Sequence, residues 1–148
     1  MFVIFDLDGT LCDISHRLHF VTGPRKTRDY DAFFAACGDD KPKWPILHTF
    51  DALISGGHRI EIWSGRSDQV WEQTTQWLDE NAGIGRYLSR MRPHGDYRSD
   101  VDLKRQWLVE ERENGNTPDL VFDDRQRLVD MWRAEGITCC QVDAWEES

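Results

Sequence analysis

An uninterrupted apolar run, Phe2 to Phe5, stands directly before the sequence Asp6-Leu7-Asp8-Gly9-Thr10, and this junction restricts the fold more than any other feature. A run without polar side chains predicts a strand that is buried on both faces, as in a parallel sheet covered by helices. Further predicted strands, at 58–63, 120–122 and 137–142, alternate with segments of helical periodicity. The sequence therefore predicts an α/β protein built on a mainly parallel sheet.

The helical segments have recognisable beginnings. A helix begins at Pro45, a residue that suits the first helical turn. Ser99 and Asp102 form a capping box that begins another helix. Residues 11–44, between the first strand and the first of these helices, are irregular except for a short helix predicted near Asp31–Cys37. We expect them to form a small insertion in a single domain that covers residues 1–148.

Polar side chains follow three of the predicted strands, where the carboxyl ends of parallel strands share one edge of the sheet and ligands bind. They are Asp6 and Asp8, then Ser64, Gly65 and Arg66, and finally Asp123 and Asp124. Lys104, early in the helix after Ser99, is the fourth contributor. We therefore expect segments that are distant in sequence to converge on one site.

Asp6 and Asp8 point the same way if the backbone between them is extended. Two nearby carboxylates repel each other unless a cation or a proton separates them, and Mg²⁺ is a hard cation that prefers oxygen ligands. Ser64, Gly65 and Arg66 offer a hydroxyl, an amide and a guanidinium, which are the donors that a phosphoryl group needs. The alternatives are a solvated turn after each strand and, for Lys104, a solvated helix lysine.

Composition excludes several classes of protein. The 27 acidic and 18 basic residues give a formal net charge of −9, which argues against coating nucleic acid by charge alone. No apolar run approaches the roughly 18 residues of a membrane span, so a soluble cytoplasmic protein is expected. The four cysteines lack the spacing of a zinc site and are expected to be buried thiols; they are Cys12, Cys37, Cys139 and Cys140.

The order of the motifs resembles the haloacid dehalogenase-like (HAD) phosphatase superfamily. The strand that leads into Ser64-Gly65-Arg66 and the stretch 123–142 are similar to the 3′-phosphatase domain of phage polynucleotide kinases, although Trp63 is bulkier than the aliphatic residue usual there. The resemblance implies a Rossmann-like three-layer α/β/α sandwich with a minimal cap. It also implies a location in the host cytoplasm if the protein is phage-encoded.

The resemblance implies a role for each matching residue. Asp6 corresponds to the nucleophile that forms an aspartyl-phosphate, and Asp8 to the general acid and base. Mg²⁺ is the implied cofactor, and its implied ligands are Asp6, the Asp8 carbonyl, Asp123 and Asp124. The implied phosphoryl-binding residues are Thr10, Ser64, Gly65, Arg66 and Lys104.

The expected substrate is a nucleic-acid 3′ end or a nucleotide. Candidates for binding the flanking phosphates are Arg17, Arg25, Lys26, Arg28, Arg92 and Arg125, with Tyr97 or Tyr30 available for base stacking; solvated surface charges are the alternative.

Three functions remain open: a Mg²⁺-dependent polynucleotide 3′-phosphatase in end repair, a nucleotidase or small-metabolite phosphatase, and a non-catalytic binding module. The presence of the whole motif set argues against the third, since a binding module need not keep both an acid and a nucleophile; the set is Asp6, Asp8, Ser64, Lys104 and Asp123. The 148 residues lack the Gly-x-x-x-x-Gly-Lys-Ser/Thr loop of a kinase half, so no kinase activity is expected.

Overall fold

A five-stranded parallel sheet forms the centre of the protein in a computed structural model, which describes residues 1–145. Its strands lie in the order β5-β4-β1-β6-β7. They are β1 (Phe2–Phe5), β4 (Arg59–Ser67), β5 (Leu88–Arg92), β6 (Leu120–Arg125) and β7 (Thr138–Trp145), while β2 (Cys12–Asp13) and β3 (Lys41–Pro42) form a separate antiparallel pair. The predicted mainly parallel α/β fold is confirmed.

Alternate side chains of β1 point into two different cores, as the period of a strand requires. Val3 and Phe5 belong to one apolar cluster, and Phe2 and Ile4 belong to the other. The first cluster packs under α2 (Trp44–Ser55) and α3 (Trp71–Ala82), and the second under α4 (Asp100–Glu113) and α5 (Gln126–Ala134). Helices therefore cover both faces of the sheet in three layers.

β1 occupies the position that determines where a ligand can bind. Phe5 pairs with Ile62 of β4 on one side and with Phe122 of β6 on the other. The chain passes from β1 to β4 and later returns to β6, so the direction of winding reverses beside β1. In open parallel sheets this reversal leaves a crevice at the carboxyl ends of the strands.

The segment between β1 and α2 lies beside this crevice. It contains the short α1 (Tyr30–Ala35) and three 3₁₀ helices, at Ser15–Phe20, Arg25–Thr27 and Ala36–Asp39. Arg17 on the first of these helices has no exposed surface. The short helix that the sequence predicts near Asp31–Cys37 is present as α1, and the rest of residues 11–44 contains more helical turns than the irregular stretch predicted there.

Four details bear on the predictions. The Ser99 side chain accepts a hydrogen bond from the Asp102 amide at 3.1 Å, which confirms the predicted helix start. β4 continues through Ser64 to Ser67 instead of ending at Trp63, because it keeps pairing with β5 across a local irregularity. Cys140 is exposed, so the prediction that all four cysteines are buried is wrong for it. The described residues include no helix long and apolar enough to cross a membrane.

Candidate active site

The site begins with a buried lysine that joins two strands of the sheet. Lys104, in the first turns of α4, places Nζ 2.6 Å from Asp6 Oδ1 and 3.3 Å from Asp123 Oδ2. Burial lowers the pKa of the Lys104 ammonium, but the Asp123 and Asp6 carboxylates outweigh it and raise this pKa above its ordinary value. Lys104 is therefore a fixed positive charge between the carboxyl ends of β1 and β6.

Asp6, Asp123 and Asp124 form a cluster of buried carboxylates in which one oxygen from each lies within 4.8 Å of the other two. Burial and the neighbouring Asp123 raise the pKa of Asp6 well above its ordinary value, while Lys104 acts in the opposite direction. One ammonium does not neutralise three carboxylates, and a hard divalent cation with oxygen ligands would relieve the repulsion. The chemistry of this donor set fits Mg²⁺.

Gly9 allows the nucleophile loop to approach Asp124. Its φ is +80°, and a Cβ added there would lie only 2.0 Å from Asp124 Oδ2. The Gly9 amide donates to the Cys12 carbonyl at 2.9 Å, and the Gly9 carbonyl accepts from Lys43 Nζ at 3.0 Å. A side chain at this position would displace either the loop or the carboxylate of the cluster.

Asp8 is held by two arginines on one carboxylate oxygen. Arg17 Nη2 and Arg66 Nε each lie 2.8 Å from Asp8 Oδ1. Burial acts to raise the pKa of Asp8, but Arg66 and Arg17 outweigh it and lower this pKa to about 2. In the unliganded protein Asp8 is therefore ionised, and its position is fixed by two charged hydrogen bonds.

Both arginines also contact Asp40, which sequence reasoning missed. Arg17 Nε lies 2.8 Å from Asp40 Oδ1, Arg66 Nη2 lies 2.8 Å from Asp40 Oδ2, and His16 Nε2 lies 2.7 Å from Oδ1. The pairing explains how two guanidiniums can be buried together. Both arginines are therefore buried against Asp8 and Asp40. The sequence predicts a different position for each, with Arg17 as a surface contact for nucleic acid and Arg66 as a contact for the substrate phosphate.

Two of the predicted phosphoryl donors, Thr10 and Gly65, have an acidic side chain as a neighbour. Ser64 is buried, and its Oγ accepts from the Arg66 amide at 3.1 Å. The Thr10 hydroxyl points to Asp6 Oδ2 at 3.4 Å. Gly65 faces Asp100, since a Cβ added to Gly65 would lie 2.6 Å from Asp100 Oδ1. Asp100 is a second residue at the site that the sequence motifs do not predict.

The remaining basic residues fall into two groups. Arg92 and Arg125 both contact Asp100, next to Gly65. Arg25, Lys26 and Arg28 lie on or directly after the 3₁₀ helix Arg25–Thr27 in the insertion, where Arg28 Nε donates to the Gly23 carbonyl at 3.1 Å. The first group adjoins the carboxyl edge of the sheet through Asp100, and the second lies in the insertion.

Residues 1–146 match the model of a family described as the polynucleotide kinase PNKP phosphatase domain, within the HAD group. The chain belongs to this family. The phosphatase domain is 28% identical to a chain in the structure of a Pnkp1/Rnl/Hen1 complex, with a TM-score of 0.78 over 98% of its own length. A chain in the structure of the Pnkp1/Rnl/Hen1 RNA repair complex is 27% identical, with a TM-score of 0.74 over the same 98%.

The phosphatase domain spans less than half of those two chains, covering 46% and 43% of their lengths. A hydrolase from Streptococcus pneumoniae TIGR4 matches over 97% of this chain and 92% of its own, at 16% identity and a TM-score of 0.63. That similarity shows a shared fold. The predicted relationship to HAD phosphatases and to polynucleotide kinases is therefore confirmed.

Proposed function

We propose that the phosphatase domain is a Mg²⁺-dependent polynucleotide 3′-phosphatase that acts through an aspartyl-phosphate. The observation that carries this proposal is the bridge from Lys104 to Asp6 and Asp123, 2.6 and 3.3 Å long, in a buried carboxylate cluster. The Lys104 ammonium holds an Asp6 oxygen in a fixed place because the two opposite charges are so close. The same ammonium supplies positive charge for a phosphoryl group.

The reaction proceeds in two steps on the chain's own residues. In the first, an Asp6 oxygen attacks phosphorus, the bond from phosphorus to the leaving oxygen breaks, and Asp8 gives its proton to that oxygen. In the second, water attacks the aspartyl-phosphate, Asp8 takes a proton from the water, and phosphate leaves with Asp6 restored. Ser64, the Gly65 amide and Lys104 hold the phosphoryl oxygens throughout.

Asp8 must be protonated for the first step, although its pKa in the unliganded protein is lowered to about 2. A phosphoryl dianion that enters beside Asp8 raises this pKa by repulsion between like charges. The arriving substrate therefore favours the protonated acid. Arg17 and Arg66 hold the carboxyl group in place, and since both Arg17 and Asp40 come from residues 11–44, we propose that this insertion acts as a small cap.

Asp6, Asp123, Asp124 and the Asp8 carbonyl would hold Mg²⁺. When bound, the ion would offset the negative charge of the carboxylates and of the phosphoryl group. This assignment accounts for three acidic side chains that are buried together with only one lysine. Removing the ion with a chelator should abolish phosphate release and lower the melting temperature, because the carboxylates then repel each other without a counter-charge.

A polynucleotide end is the substrate that the family membership supports best. The two similar chains belong to complexes that contain Pnkp1, Rnl and Hen1, one of which is described as an RNA repair complex. The substrate of the site would then be a nucleic-acid 3′ end that carries a phosphate. A nucleotidase acting on mononucleotides is the second candidate, since the same carboxylates would serve it.

A substrate panel distinguishes these functions. Phosphate release should be compared among a 3′-phosphorylated oligonucleotide, a 5′-phosphorylated one, and 3′- and 5′-mononucleotides, with Asp6→Asn as the inactive control. We expect the highest kcat/KM for the 3′-phosphorylated oligonucleotide. A preference for mononucleotides would favour the nucleotidase, and no release from any substrate with Mg²⁺ present would favour a binding module.

A further inference from the structure

The loop between β5 and α4 presents an aromatic side chain to solvent. Tyr97 is 94% exposed, the most of any large hydrophobic residue described. Tyr30, the other tyrosine considered for base stacking, is 51% exposed, and its ring centroid lies 6.4 Å from that of Phe34. Exposing nearly a whole phenol ring forgoes the free energy of burying it. A single exposed side chain is not unusual in itself, so the structure around it decides its meaning.

One guanidinium holds the loop on both sides of Tyr97. Arg92 Nη1 donates to the Asp96 carbonyl at 3.1 Å and to the Arg98 carbonyl at 2.5 Å. Arg92 Nη2 donates to the Asp100 carboxylate. The two residues that flank Tyr97 are also joined to each other, because Arg98 Nη2 lies 2.7 Å from Asp96 Oδ2. The backbone of Tyr97 is therefore fixed before any ligand binds, which lowers the entropic cost of binding.

The same guanidinium links the loop to the phosphoryl site. Arg92 Nε donates to the Gly65 carbonyl at 2.9 Å. Since the path from Gly65 to Tyr97 consists of two hydrogen bonds and a few covalent bonds, the Tyr97 backbone lies within about 12 Å of the Gly65 carbonyl. A second link supports this position, since the His94 amide donates to Asp68 Oδ1 at 3.0 Å, just beyond the end of β4.

We propose that Tyr97 is a stacking platform for an unpaired base within the last few nucleotides of a 3′-phosphorylated strand. The proposal rests on the proposed polynucleotide substrate. The distance fits, because stacked nucleotides are spaced by about 3.4 Å along a strand, so that 12 Å spans a few of them. A base has a π-face whatever its sequence, so stacking on Tyr97 would favour polynucleotides over small phosphate esters without selecting a sequence.

Stacking of a base on one aromatic side chain makes a measurable contribution to binding affinity. Alanine substitution at such a platform weakens binding by about 5- to 150-fold for each base. We expect Tyr97→Ala to weaken oligonucleotide binding by a factor in this range and to raise KM more than it lowers kcat. Tyr97→Phe, which keeps the ring and removes the hydroxyl, should restore most of the affinity. Tyr30→Ala is the matched control and should bind as tightly as the unsubstituted chain.

An abasic probe separates stacking from a general disturbance of the loop. Fluorescence anisotropy of a labelled 3′-phosphorylated single strand should be measured in the inactive Asp6→Asn background, with and without bases at the last three positions. Removing the bases should weaken binding to the Tyr97 protein but change binding to Tyr97→Ala little. If Tyr97→Ala weakens binding of both strands equally, or of neither, the stacking role is refuted.

Binding by the chain that keeps Tyr97 tests the proposed function separately from the stacking role. If that chain binds the full strand no more tightly than a 3′-mononucleotide, both the polynucleotide substrate and the stacking role fail. If it prefers the strand and Tyr97→Ala does not alter this preference, only the stacking role fails. Circular dichroism of Tyr97→Ala checks that the fold is intact, and Tyr97→Phe provides a second test of the ring.

Discussion

The buried carboxylate of Asp40 gives the sharpest mutational test of the site. The carboxylate accepts hydrogen bonds from Arg17 Nε and Arg66 Nη2 at 2.8 Å each. The backbone carbonyl of Asp40 accepts a further hydrogen bond from Trp77 Nε1 at 2.8 Å. Asp40→Asn keeps the size of the side chain and the backbone contact but removes the negative charge. Two buried guanidiniums would then share Asp8 as their main counter-charge.

The effect on stability can be estimated from these contacts. Removing one partner from a buried ion pair destabilises a protein by about 3–5 kcal/mol. Because asparagine keeps one oxygen that can accept from Arg17, we take the lower end, about 3 kcal/mol. For a domain of this size that corresponds to a fall in melting temperature of roughly 6–12 °C.

Activity should fall as well, because Arg17 and Arg66 would no longer be fixed where they hold Asp8. We expect kcat to decrease on the order of 10- to 100-fold at a temperature where the variant is folded, since small displacements of catalytic groups have effects of this size. KM should change less, because Asp40 contacts the arginines and not the phosphoryl donors. Thermal unfolding and steady-state kinetics with an aryl phosphate measure both effects.

Asp39→Asn is the matched control, because Asp39 is the adjacent residue, is exposed, and loses the same charge. It should melt and turn over like the unsubstituted chain. If Asp40→Asn also melts within about 1 °C of that chain, with kcat within about twofold, the ion pairs do not stabilise the site and the reasoning fails.

Two further predictions concern Gly9 and the cysteines. Gly9→Ala should raise the Mg²⁺ concentration needed for half-maximal activity, because a Cβ would meet Asp124 at 2.0 Å, whereas Gly115→Ala, at a φ of +81° with no atom within 4 Å, should destabilise the fold without this effect. A Mg²⁺ titration of both variants that gives equal shifts would refute the close approach. Cys140 should react rapidly with a thiol reagent in the folded protein and Cys12 only on unfolding, since burial protects Cys12 and raises its pKa. Cys140→Ser should remove the rapid phase.

The sequence predicts strands and helix starts well where they depend on neighbouring residues. The apolar run of β1 is buried, and Ser99 caps α4, because burial on both faces and a capping hydroxyl depend on neighbouring residues. The convergence of Asp6, Lys104 and Asp123 follows from the parallel topology, which places the carboxyl ends of strands at one edge.

The role of the arginines could not be predicted in this way. Whether Arg17 is solvated or buried depends on Asp40, which lies 23 residues away in sequence and follows no motif. Asp100 is similar, because its contact with Gly65 exists only once α4 docks beside β4. The sequence also predicts too early an end for β4, because pairing with β5 carries the strand through polar residues that would otherwise indicate a turn.

Trapping the phosphorylated enzyme tests the central claim most directly. The protein should be mixed with Mg²⁺ and a 3′-phosphorylated oligonucleotide, quenched in acid within one turnover, digested, and analysed by mass spectrometry. The proposed mechanism predicts a phosphoryl group on the peptide that contains Asp6, located at Asp6 by reductive trapping and absent from Asp6→Asn. Phosphate release at full rate without a phosphoryl group on Asp6, or with one on another residue, would contradict it.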